Sequence, residues 1–429
     1  MNEDQEKPYV ALLNNKNVFL TGKAGTGKSF TINIIYERFI KSKKNICITA
    51  STAIAAQMYS DASTVHSFAG LGYRLESVET ILKNKTDVVK ERLKNVQILV
   101  IDEISMLPVH VLKTLNMILK NIKKSHRLFG GCVLLVAGDF YQLTPVGEET
   151  LLFEDPFWKE CEFVNVELVK NFRQNKDLTF QTHLNNVREG IFCESTLAFF
   201  RKRLEPVNKH LDPSYTRLFM FNKDQIAHNE EYLKKTNSPY FIFNSEIKTF
   251  NNFKINEKWP FKTPQNVTLK KGVPVICVRN ISELGIVNGT QGVVKSGNLE
   301  RVVIMVDEQR IVITPQTEML YDCKRNVIAE CKGMPLVLAY ALTIHKVQGL
   351  TLSNVVIHLT RSQFTWHLFY VALSRAQTRK SVYIIAQPSF FQTFLKNINI
   401  HSAVKSFYSN LIKPAPEEND YKKRIKLQM

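Results

Sequence analysis

The segment from Gly22 to Ser29 has the composition and spacing of a loop that binds phosphate. It reads Gly-Lys-Ala-Gly-Thr-Gly-Lys-Ser, the pattern GxxxxGK[ST], and a helical pattern follows it over residues 30–40. Glycines let backbone N–H groups wrap a phosphate chain, and the start of the helix adds a favourable field. Lys28 is expected to reach the β- and γ-phosphates, and Ser29 to ligate Mg²⁺. The remaining nucleotide-binding residues predicted in this loop are Gly22, Gly25, Thr26 and Gly27.

Two adjacent carboxylates follow another apolar run, residues 98–101. Asp102 stands where the end of a strand can hold the water shell of Mg²⁺, and Glu103 can polarise an attacking water as general base. An apolar run that ends in Asp-Glu is common and says little alone. Combined with the phosphate loop, it predicts a nucleoside triphosphate hydrolase.

These sites must be positioned by a parallel α/β sheet. Short apolar runs bounded by helical patterns predict buried parallel strands at residues 17–20, 45–48, 97–101 and 132–137. A second βα-like region occupies residues 336–344, 354–359 and 381–386. Between the two regions, residues 240–330 carry β-branched runs broken by Asn288-Gly289 and Gly297-Asn298, which indicates a small β-rich insertion in the second domain.

Composition limits the partners and the compartment. The 429 residues include 57 Lys and Arg against 39 Asp and Glu, a net charge of +18 that favours an acidic partner. With 44% hydrophobic residues the chain is globular, which excludes disordered and collagen-like classes. The cysteines are scattered without zinc-ligand spacing, the N-terminus lacks a secretory or mitochondrial signal, and no apolar run approaches the ~20 residues that span a bilayer. We therefore expect a soluble intracellular protein with no membrane partner.

Further motifs occur in a fixed order along the chain. They are residues 49–56 (TASTAIAA), 63–72 (STVHSFAGLG), 138–146 (GDFYQLTPV), 171–174 (NFRQ), 340–351 (YALTIHKVQGLT) and 371–376 (VALSRA). Together with the phosphate loop and the carboxylate pair, they resemble the core motifs of the Pif (petite integration frequency) family of superfamily 1B DNA helicases, relatives of the RecD-type helicases. The resemblance covers residues 5–386, and it departs from the family pattern at Thr144, His345 and Val347, where Pro, Asn and Ser are usual.

The resemblance implies roles for residues at the nucleotide. Gln5 would read adenine, Gln142 would sense the γ-phosphate, and Gln348 with Gly349 would contact the nucleotide from the second domain. Arg173 and Arg375 would reach the γ-phosphate as arginine fingers, which neutralise charge that develops on phosphoryl oxygens during transfer.

The resemblance also implies contacts to single-stranded DNA. In the first domain these residues are Thr52, Thr64 and His66, whose small or hydroxyl-bearing neighbours allow close approach to phosphates. In the second domain they are Thr343, His345 and Lys346.

The implied fold class is α/β, with two RecA-like P-loop domains and a small β-rich, SH3-like insertion in the second. The expected boundaries are domain 1A at 1–155, with a duplex-parting wedge 1B at about 70–94, domain 2A at 156–264 and 333–412, insertion 2B at 265–332, and a basic tail at 413–429.

The implied function is an ATP-dependent, Mg²⁺-requiring DNA helicase that moves 5′→3′ on single-stranded DNA and unwinds the duplex in replication, repair or recombination. Its partners would be single-stranded DNA and single-strand/duplex junctions, bound by a monomeric motor that works alone or with replication or single-strand-binding proteins. A nucleus and a viral or cytoplasmic replication compartment both stay open. Three alternatives also stay open: a RecD-like translocase subunit, a nucleic-acid-binding protein that ATP regulates without unwinding, and a small-molecule kinase, which leaves the C-terminal motifs unexplained.

Overall fold

The computed structural model describes most of the chain. The described residues are 2–56, 58–59, 62–71, 78–83, 86–145, 150–207, 209, 211–212, 215–250, 255, 259, 261–286, 288–306, 308–321, 327–359, 365–398 and 400–411. The predicted tail at 413–429 and parts of the predicted wedge at 70–94 lie outside this set.

The first part of the chain forms one parallel sheet with helices on both faces. Its strands are β1 (Val18–Gly22), β2 (Ile46–Ala50), β3 (Ser63–Thr64), β4 (Ile98–Asp102), β5 (Val133–Gly138) and β6 (Val164–Leu168). Its helices are α1 (Glu3–Leu13), α2 (Lys28–Lys41), α3 (Ala53–Ala56), α4 (Val65–Ala69), α5 (Val78–Lys83), α6 (Asp87–Asn95), α7 (Val109–Lys123) and α8 (Pro156–Glu160). The strand order is β3-β2-β4-β5-β1-β6.

The central strands of this sheet are buried over their whole length. Every residue of β1, β4 and β5 is buried, as expected of parallel strands covered on both faces. The four strands predicted from apolar runs are confirmed as β1, β2, β4 and β5. Because parallel strands end at one edge, the loops that follow β1, β4 and β5 meet there.

The sheet continues beyond residue 155, where the first domain was expected to end. Strand β6 pairs with β1 in parallel, with Val18 opposite Val164 and Gly22 opposite Leu168. The alternating sequence of β6 lacks the continuous apolar run that marked the other strands, because this strand lies at the edge of the sheet and is only half buried.

The remaining elements complete a second α/β domain and its insertion. The helices are α9 (Leu178–Glu189), α10 (Glu194–Arg203), α11 (Asn222–Lys235), α12 (Trp366–Leu373), α13 (Pro388–Lys396) and α14 (Ser402–Leu411). The strands are β7 (Leu204–Glu205), β8 (Thr216–Phe219), β9 (Tyr240–Asn244), β10 (Glu246–Thr249), β11 (Asn266–Lys270), β12 (Pro274–Cys277), β13 (Gln291–Gly297), β14 (Val302–Val306), β15 (Gln309–Ile313), β16 (Gln316–Tyr321), β17 (Val327–Gly333), β18 (Leu336–Leu338), β19 (Ala341–Thr343), β20 (Val355–His358) and β21 (Val382–Ile385). Single 3₁₀ turns lie at Ile104–Met106, Leu128–Gly131, Leu152–Glu154, Ser282–Leu284 and Arg379–Ser381.

The second domain contains a parallel sheet in the order β19-β8-β20-β21-β7. The insertion adds antiparallel sheets in the orders β15-β14-β13-β12-β18, β10-β17-β16 and β11-β9. The expected class, two α/β domains with a β-rich insertion, is confirmed. The insertion is longer than the expected 265–332, since β9 and β10 pair with β11 and β17, and β18 pairs with β12.

The last described helix, α14, packs against the first domain. Residues 333–412 were expected to belong to the second domain, yet the Phe407 ring stacks on Phe153 at 4.3 Å between centroids and contacts Phe140 edge-on at 5.5 Å. The amphipathic sequence of α14 buries these rings in the core of the first domain. The chain therefore returns to the first domain after completing the second. Among the described helices, none combines the length and apolar character needed to cross a membrane.

Candidate functional site

A cavity of about 540 Å³ lies between the two α/β domains and contains most of the predicted catalytic residues. Its lining from the first domain includes the phosphate loop, Glu103 and Gln142. Gly349 and Arg375 line it from the second domain, and Arg173 lies between the two domains, with its backbone on the phosphate loop and its guanidinium on Gly349. Residues separated by more than 300 positions in the sequence thus face one space.

The phosphate loop has a backbone that only glycine adopts without strain at its key positions. Gly25 has φ +84°, and a Cβ there would lie 2.7 Å from Cβ of Arg173. The same tight approach lets the backbone N–H of Phe172 donate to the Gly25 carbonyl at 2.9 Å. The arginine-bearing segment therefore packs directly on the loop, and any side chain at Gly25 would push it away.

The charged end of Lys28 lies within the loop. Its Nζ donates to the carbonyl of Gly22 at 2.7 Å and to that of Lys23 at 3.3 Å. Burial lowers the pKa of Lys28, while the carboxylates of Asp139, Glu103 and Asp102 raise it in part. Helix α2 starts at Lys28 without a side-chain cap, so its first N–H groups remain available to an anion. The hydroxyl of Thr26 donates to the carbonyl of Lys23 at 2.9 Å, and this hydrogen bond stabilises the loop conformation.

Asp102 is held at the end of β4 by groups that fix both of its oxygens. The backbone N–H of Glu103 donates to Oδ1 at 2.8 Å, and the Tyr59 hydroxyl donates to Oδ2 at 2.5 Å. Burial raises the pKa of Asp102, and hydrogen bonds that include one with Ser29 lower it in part. Ser29 and Asp102 are thus neighbours, and a hydroxyl beside a carboxylate is an oxygen set that suits Mg²⁺.

No cluster of three or more His, Cys, Asp or Glu suited to a metal exists among the described residues. Mg²⁺ is commonly held by one or two protein ligands together with phosphate oxygens and water. The Ser29 and Asp102 pair fits that mode.

Glu103 projects a buried carboxylate toward the cavity. Its backbone has φ 53° and ψ 45°, a left-handed conformation that is rare for Glu and typical of functional positions. Burial and the neighbouring Asp102 raise the pKa of Glu103 to about 7, against opposing effects of Lys28 and Arg375. Its Oε2 has no hydrogen-bond partner among the described residues, so it is available to a water or a ligand.

Gln142 is oriented by Asp139, in the loop after β5. Its Nε2 donates to Asp139 Oδ2 at 3.2 Å, and its backbone N–H donates to the Asp139 carbonyl at 2.8 Å. Asp139 is completely buried and pairs with Arg188, whose Nη2 lies 2.8 Å from Oδ1. Burial raises the pKa of Asp139, but Arg188, Lys28 and the Gln142 amide together outweigh burial, and the pKa lies below its ordinary value.

Both candidate arginine fingers are held by carbonyl and hydroxyl oxygens. Arg173 donates to Gly349 O at 2.8 Å, Thr351 Oγ1 at 2.9 Å and Ser374 O at 3.1 Å. Arg375 donates from Nε to Val371 O at 2.8 Å and from Nη2 to Ser374 Oγ at 2.7 Å. Burial lowers the pKa of Arg375 to about 10, an effect that Glu103 opposes. These two guanidinium groups carry positive charge on the side of the cavity opposite Lys28.

Gln5 lies beside the phosphate loop, in the first turn of α1. Its Oε1 accepts a hydrogen bond from Asn2 N at 3.0 Å, and its Nε2 would lie 3.3 Å from a Cβ at Gly27. The structure therefore brings Gln5 to the loop, as expected of a residue that reads the base.

One turn after β19 connects the cavity with the surface. Gly349 lines the cavity, and the Gln348 amide lies beside Glu103, whose pKa it lowers in part. His345 and Lys346, in the same turn, are exposed. Thr343 is only 3% exposed, so the structure does not place its side chain with these two as a surface contact.

The DNA contacts expected in the first domain share one sheet edge. Ala50, the last residue of β2, pairs with Thr64 of β3, so both strands end together. The Thr52 hydroxyl accepts from Ala55 N at 3.2 Å, and the Thr64 hydroxyl accepts from Ser67 N at 3.1 Å and caps α4. His66 follows in α4 and is half buried.

Comparison with known proteins identifies the family. The chain is 30% identical to an ATP-dependent DNA helicase Pif1 of Campylobacter jejuni, over 91% of this chain and 94% of that protein. The chain belongs to the PIF1-like helicase family. The model of that family matches residues 1–196, and models of the Pif1 helicase 2B domain and of a UvrD-like helicase C-terminal domain match residues 257–296 and 338–385. Some curated family members are longer, and the chain spans 58% of the one from Candida albicans.

Solved structures of family members share the whole architecture. The helicase resembles Bacteroides Pif1 in complex with ADP-AlF4 at a TM-score of 0.78 and 26% identity, over 95% of this chain and 96% of that one. Against Bacteroides Pif1 bound to ssDNA the TM-score is 0.64 at 27% identity, over 95% and 96% of the two chains. The two α/β domains are therefore RecA-like.

Several contributors to the site carried no recognisable signal in the sequence. Tyr59, which holds Asp102, occupies no motif, and Arg188 and Tyr408, which hold Asp139, lie far from it in the chain. Only a buried polar residue without a local partner, such as Asp139 at the end of an apolar strand, could have indicated that partners were needed.

Proposed function

We propose that this helicase uses ATP to move 5′→3′ along single-stranded DNA and to unwind the duplex ahead of it. The observation that carries the proposal is the cavity in which the phosphate loop and Glu103 face Arg173 and Arg375. A triphosphate bound there would be contacted from both RecA-like domains. Its hydrolysis would therefore change how strongly the two domains hold each other.

The residues of the first domain would bind and activate the reactants. Lys28 would leave its two loop carbonyls and bind the β- and γ-phosphates. Ser29 and Asp102 would hold Mg²⁺, which neutralises phosphate charge when bound. Glu103, with its unpaired Oε2, would accept a proton from the attacking water, and Gln142 would contact the γ-phosphate.

The second domain would supply the positive charge on the other side. Arg173 and Arg375 both line the cavity, and each would exchange hydrogen bonds to protein oxygens for contacts with a γ-phosphate. Loss of that phosphate removes their anionic partner, and the cleft loosens. The turn at 344–350 joins the cavity to the exposed His345 and Lys346. Movement of this turn when the cleft loosens would alter the contacts of these two residues with DNA.

Unwinding of forked DNA with either a 5′ or a 3′ single-stranded tail tests the proposal. We expect strand displacement that requires ATP, Mg²⁺ and the 5′ tail, because the motor must load on a strand that it then follows. A Lys28→Ala variant should bind the fork without displacing a strand, which controls for passive melting.

Other results would point to the alternatives. Equal activity on the 3′ tail would overturn the polarity. DNA-stimulated ATP hydrolysis without displacement would indicate a RecD-like translocase subunit. ATP binding that changes DNA affinity without DNA-stimulated hydrolysis would indicate a regulated binding protein, and sedimentation on DNA would test whether the motor is a monomer.

Replacement of an arginine finger should strongly reduce the rate of ATP hydrolysis. We expect Arg375→Ala to lower the DNA-stimulated kcat by about 10³-fold, the lower end of what arginine fingers contribute in related enzymes, with a smaller change in nucleotide affinity. Steady-state hydrolysis at saturating DNA measures it. Arg379→Ala is the matched control, since Arg379 is exposed in the same domain and pairs with Asp177. Wild-type turnover by the Arg375 variant would remove this residue from the mechanism.

A further inference from the structure

The carboxylate of Asp139 is the centre of a buried hydrogen-bond network behind the nucleotide site. Oδ1 accepts from Arg188 Nη2 at 2.8 Å, from the backbone N–H of Tyr141 at 3.1 Å and from the Tyr408 hydroxyl at 3.2 Å. Oδ2 accepts from Arg188 Nε and from Gln142 Nε2, both at 3.2 Å. A buried carboxylate with five donors has little freedom to rotate.

The donors come from different parts of the molecule. Gln142 belongs to the first RecA-like domain, and Arg188 lies near the end of α9, which packs against α10 and α12 of the second. Tyr408 lies on α14, which follows the second domain and returns to the first. Asp139 therefore links the candidate γ-phosphate sensor to two elements that lie outside the first domain in sequence.

The Tyr408 hydroxyl also contacts the stem of the phosphate loop. It accepts from the backbone N–H of Phe140 at 3.0 Å and lies 3.0 Å from Oγ1 of Thr21, the residue before Gly22. Because Thr21 Oγ1 donates its hydrogen to the Gly138 carbonyl at 2.9 Å, Thr21 Oγ1 and Asp139 Oδ1 are both acceptors for the single Tyr408 hydrogen, and the charged carboxylate is the stronger of the two. One hydroxyl thus joins the end of β1 to the loop after β5.

The ring of Tyr408 is fixed independently of its hydroxyl. It packs 5.0 Å from the Tyr141 ring, and the Arg188 guanidinium lies 5.0 Å from its centroid. The neighbouring Phe407 is anchored among aromatic side chains of the first domain. Removal of the hydroxyl alone should therefore leave α14 in place.

Gln142 depends on this network for its orientation. Its amide nitrogen donates to a carboxylate, and an amide oxygen in that position would be repelled, so the group cannot flip. The position of Asp139 therefore sets the orientation of the Gln142 amide oxygen at the cavity. Rotation of Asp139 would misplace the amide by enough to weaken a contact made in the transition state.

We propose that Tyr408 is a positioning residue for ATP hydrolysis, whose hydroxyl holds Asp139 and thereby keeps the Gln142 amide directed at the γ-phosphate. Helix α14 then acts as a strap that carries this hydroxyl from the end of the second domain to the back of the nucleotide site. The proposal rests on the proposed function, since it assumes that Gln142 contacts the γ-phosphate.

The test is the hydroxyl deletion Tyr408→Phe in the full chain. We expect the DNA-stimulated kcat to fall about tenfold, with KM for ATP within twofold of wild type. Tyr383→Phe is the matched control, because the Tyr383 ring also packs against an aromatic ring, Tyr215, and lies under a guanidinium, that of Arg203, but far from Asp139. The control should have wild-type kcat.

A double-mutant comparison separates positioning from general packing. If Tyr408 acts through Gln142, then Tyr408→Phe should change kcat less than twofold in a Gln142→Ala background. The same tenfold loss in both backgrounds would show that Tyr408 acts independently of Gln142 and would overturn the proposal. Unchanged kcat in the single variant would overturn it as well.

A binding measurement tests the same proposal without turnover. Tyr408→Phe should weaken binding of ADP with aluminium fluoride, a mimic of the transferring phosphoryl group, about tenfold while ADP alone binds within twofold of wild type. Equal weakening of both, or of neither, would count against a positioning role. If the wild-type chain lacks DNA-stimulated hydrolysis, the proposed function fails, and this measurement still decides the role of Tyr408.

Discussion

Replacement of Glu103 with Gln should leave ATP and DNA binding nearly unchanged and reduce ATP turnover by about 10²–10⁴-fold, the usual contribution of a general base. Gln has the shape of Glu but cannot accept the proton of the attacking water. Lys28, Ser29 and Asp102, which would bind the nucleotide and Mg²⁺, are unaltered. The loss should therefore appear in kcat.

The same substitution should not destabilise the fold. Burial and the adjacent Asp102 already raise the pKa of Glu103 to about 7, so the folded chain disfavours its charge. A neutral amide removes the repulsion between neighbouring carboxyl groups, and we expect a Tm at or above that of wild type. A lowered Tm would mean that the lost turnover could reflect damage to the fold.

Three measurements check this prediction: DNA-stimulated hydrolysis at saturating ATP, binding of a fluorescent ATP analogue, and anisotropy of labelled single-stranded DNA. Glu160→Gln provides the same chemical change at an exposed position at the end of α8. Turnover near the wild-type rate in Glu103→Gln would remove the general-base role, because no neutral amide can replace it.

The half of the site that belongs to the first domain could be predicted because its residues sit at the ends of apolar strands. The phosphate loop follows β1 and the carboxylate pair follows β4, so hydrophobic periodicity places both at one sheet edge. Arg173 and Arg375 could not be placed this way. Only the resemblance of their motifs assigned them, since a contact between domains depends on how the domains pack and leaves no periodic signal.

There are physical reasons why the sequence did not predict strand β8 or the hydrogen-bond partners of the site residues. Strand β8 carries Arg217, which interrupts its short apolar run, and the guanidinium is instead satisfied by the carbonyls of Leu211 and Tyr215. Tyr59 and Tyr408 act through hydroxyl groups delivered by the tertiary fold, and sequence spacing does not encode such contacts. Patterning therefore predicts which residues do chemistry better than it predicts which residues hold them.

Among the substitutions proposed, Arg188→Met should lower the free energy of unfolding the most. Its side chain is 4% exposed and that of Asp139 is fully buried, so Arg188→Met would leave a carboxylate in the interior without its counter-charge. Loss of one partner of a buried pair typically costs about 3–5 kcal/mol. We expect a correspondingly earlier thermal and urea transition, and loss of hydrolysis with it.

The pH dependence gives this prediction a sign. In the wild-type chain Arg188 holds the pKa of Asp139 below its ordinary value, so the pair contributes stability at neutral pH that is lost as pH falls below about 4. Without Arg188, burial would raise that pKa above its unfolded value, although Lys28 and the Gln142 amide still oppose the shift. A carboxyl group with a raised folded pKa destabilises by a constant amount above that pKa, and the penalty declines as pH falls from that pKa toward the unfolded value of about 4.

The stability deficit of Arg188→Met should therefore be constant above the raised pKa of Asp139 and shrink as pH falls from that pKa toward about 4, a range in which the wild-type contribution of the pair is constant. Urea unfolding of both proteins across that range measures it, and the double variant Arg188→Met/Asp139→Asn should show a smaller, pH-independent deficit because neither charge of this buried pair remains. A deficit that stays constant in the single variant would mean that water or another cation compensates Asp139. In that case Arg188 would matter to the network through the orientation of its hydrogen bonds and not through its charge.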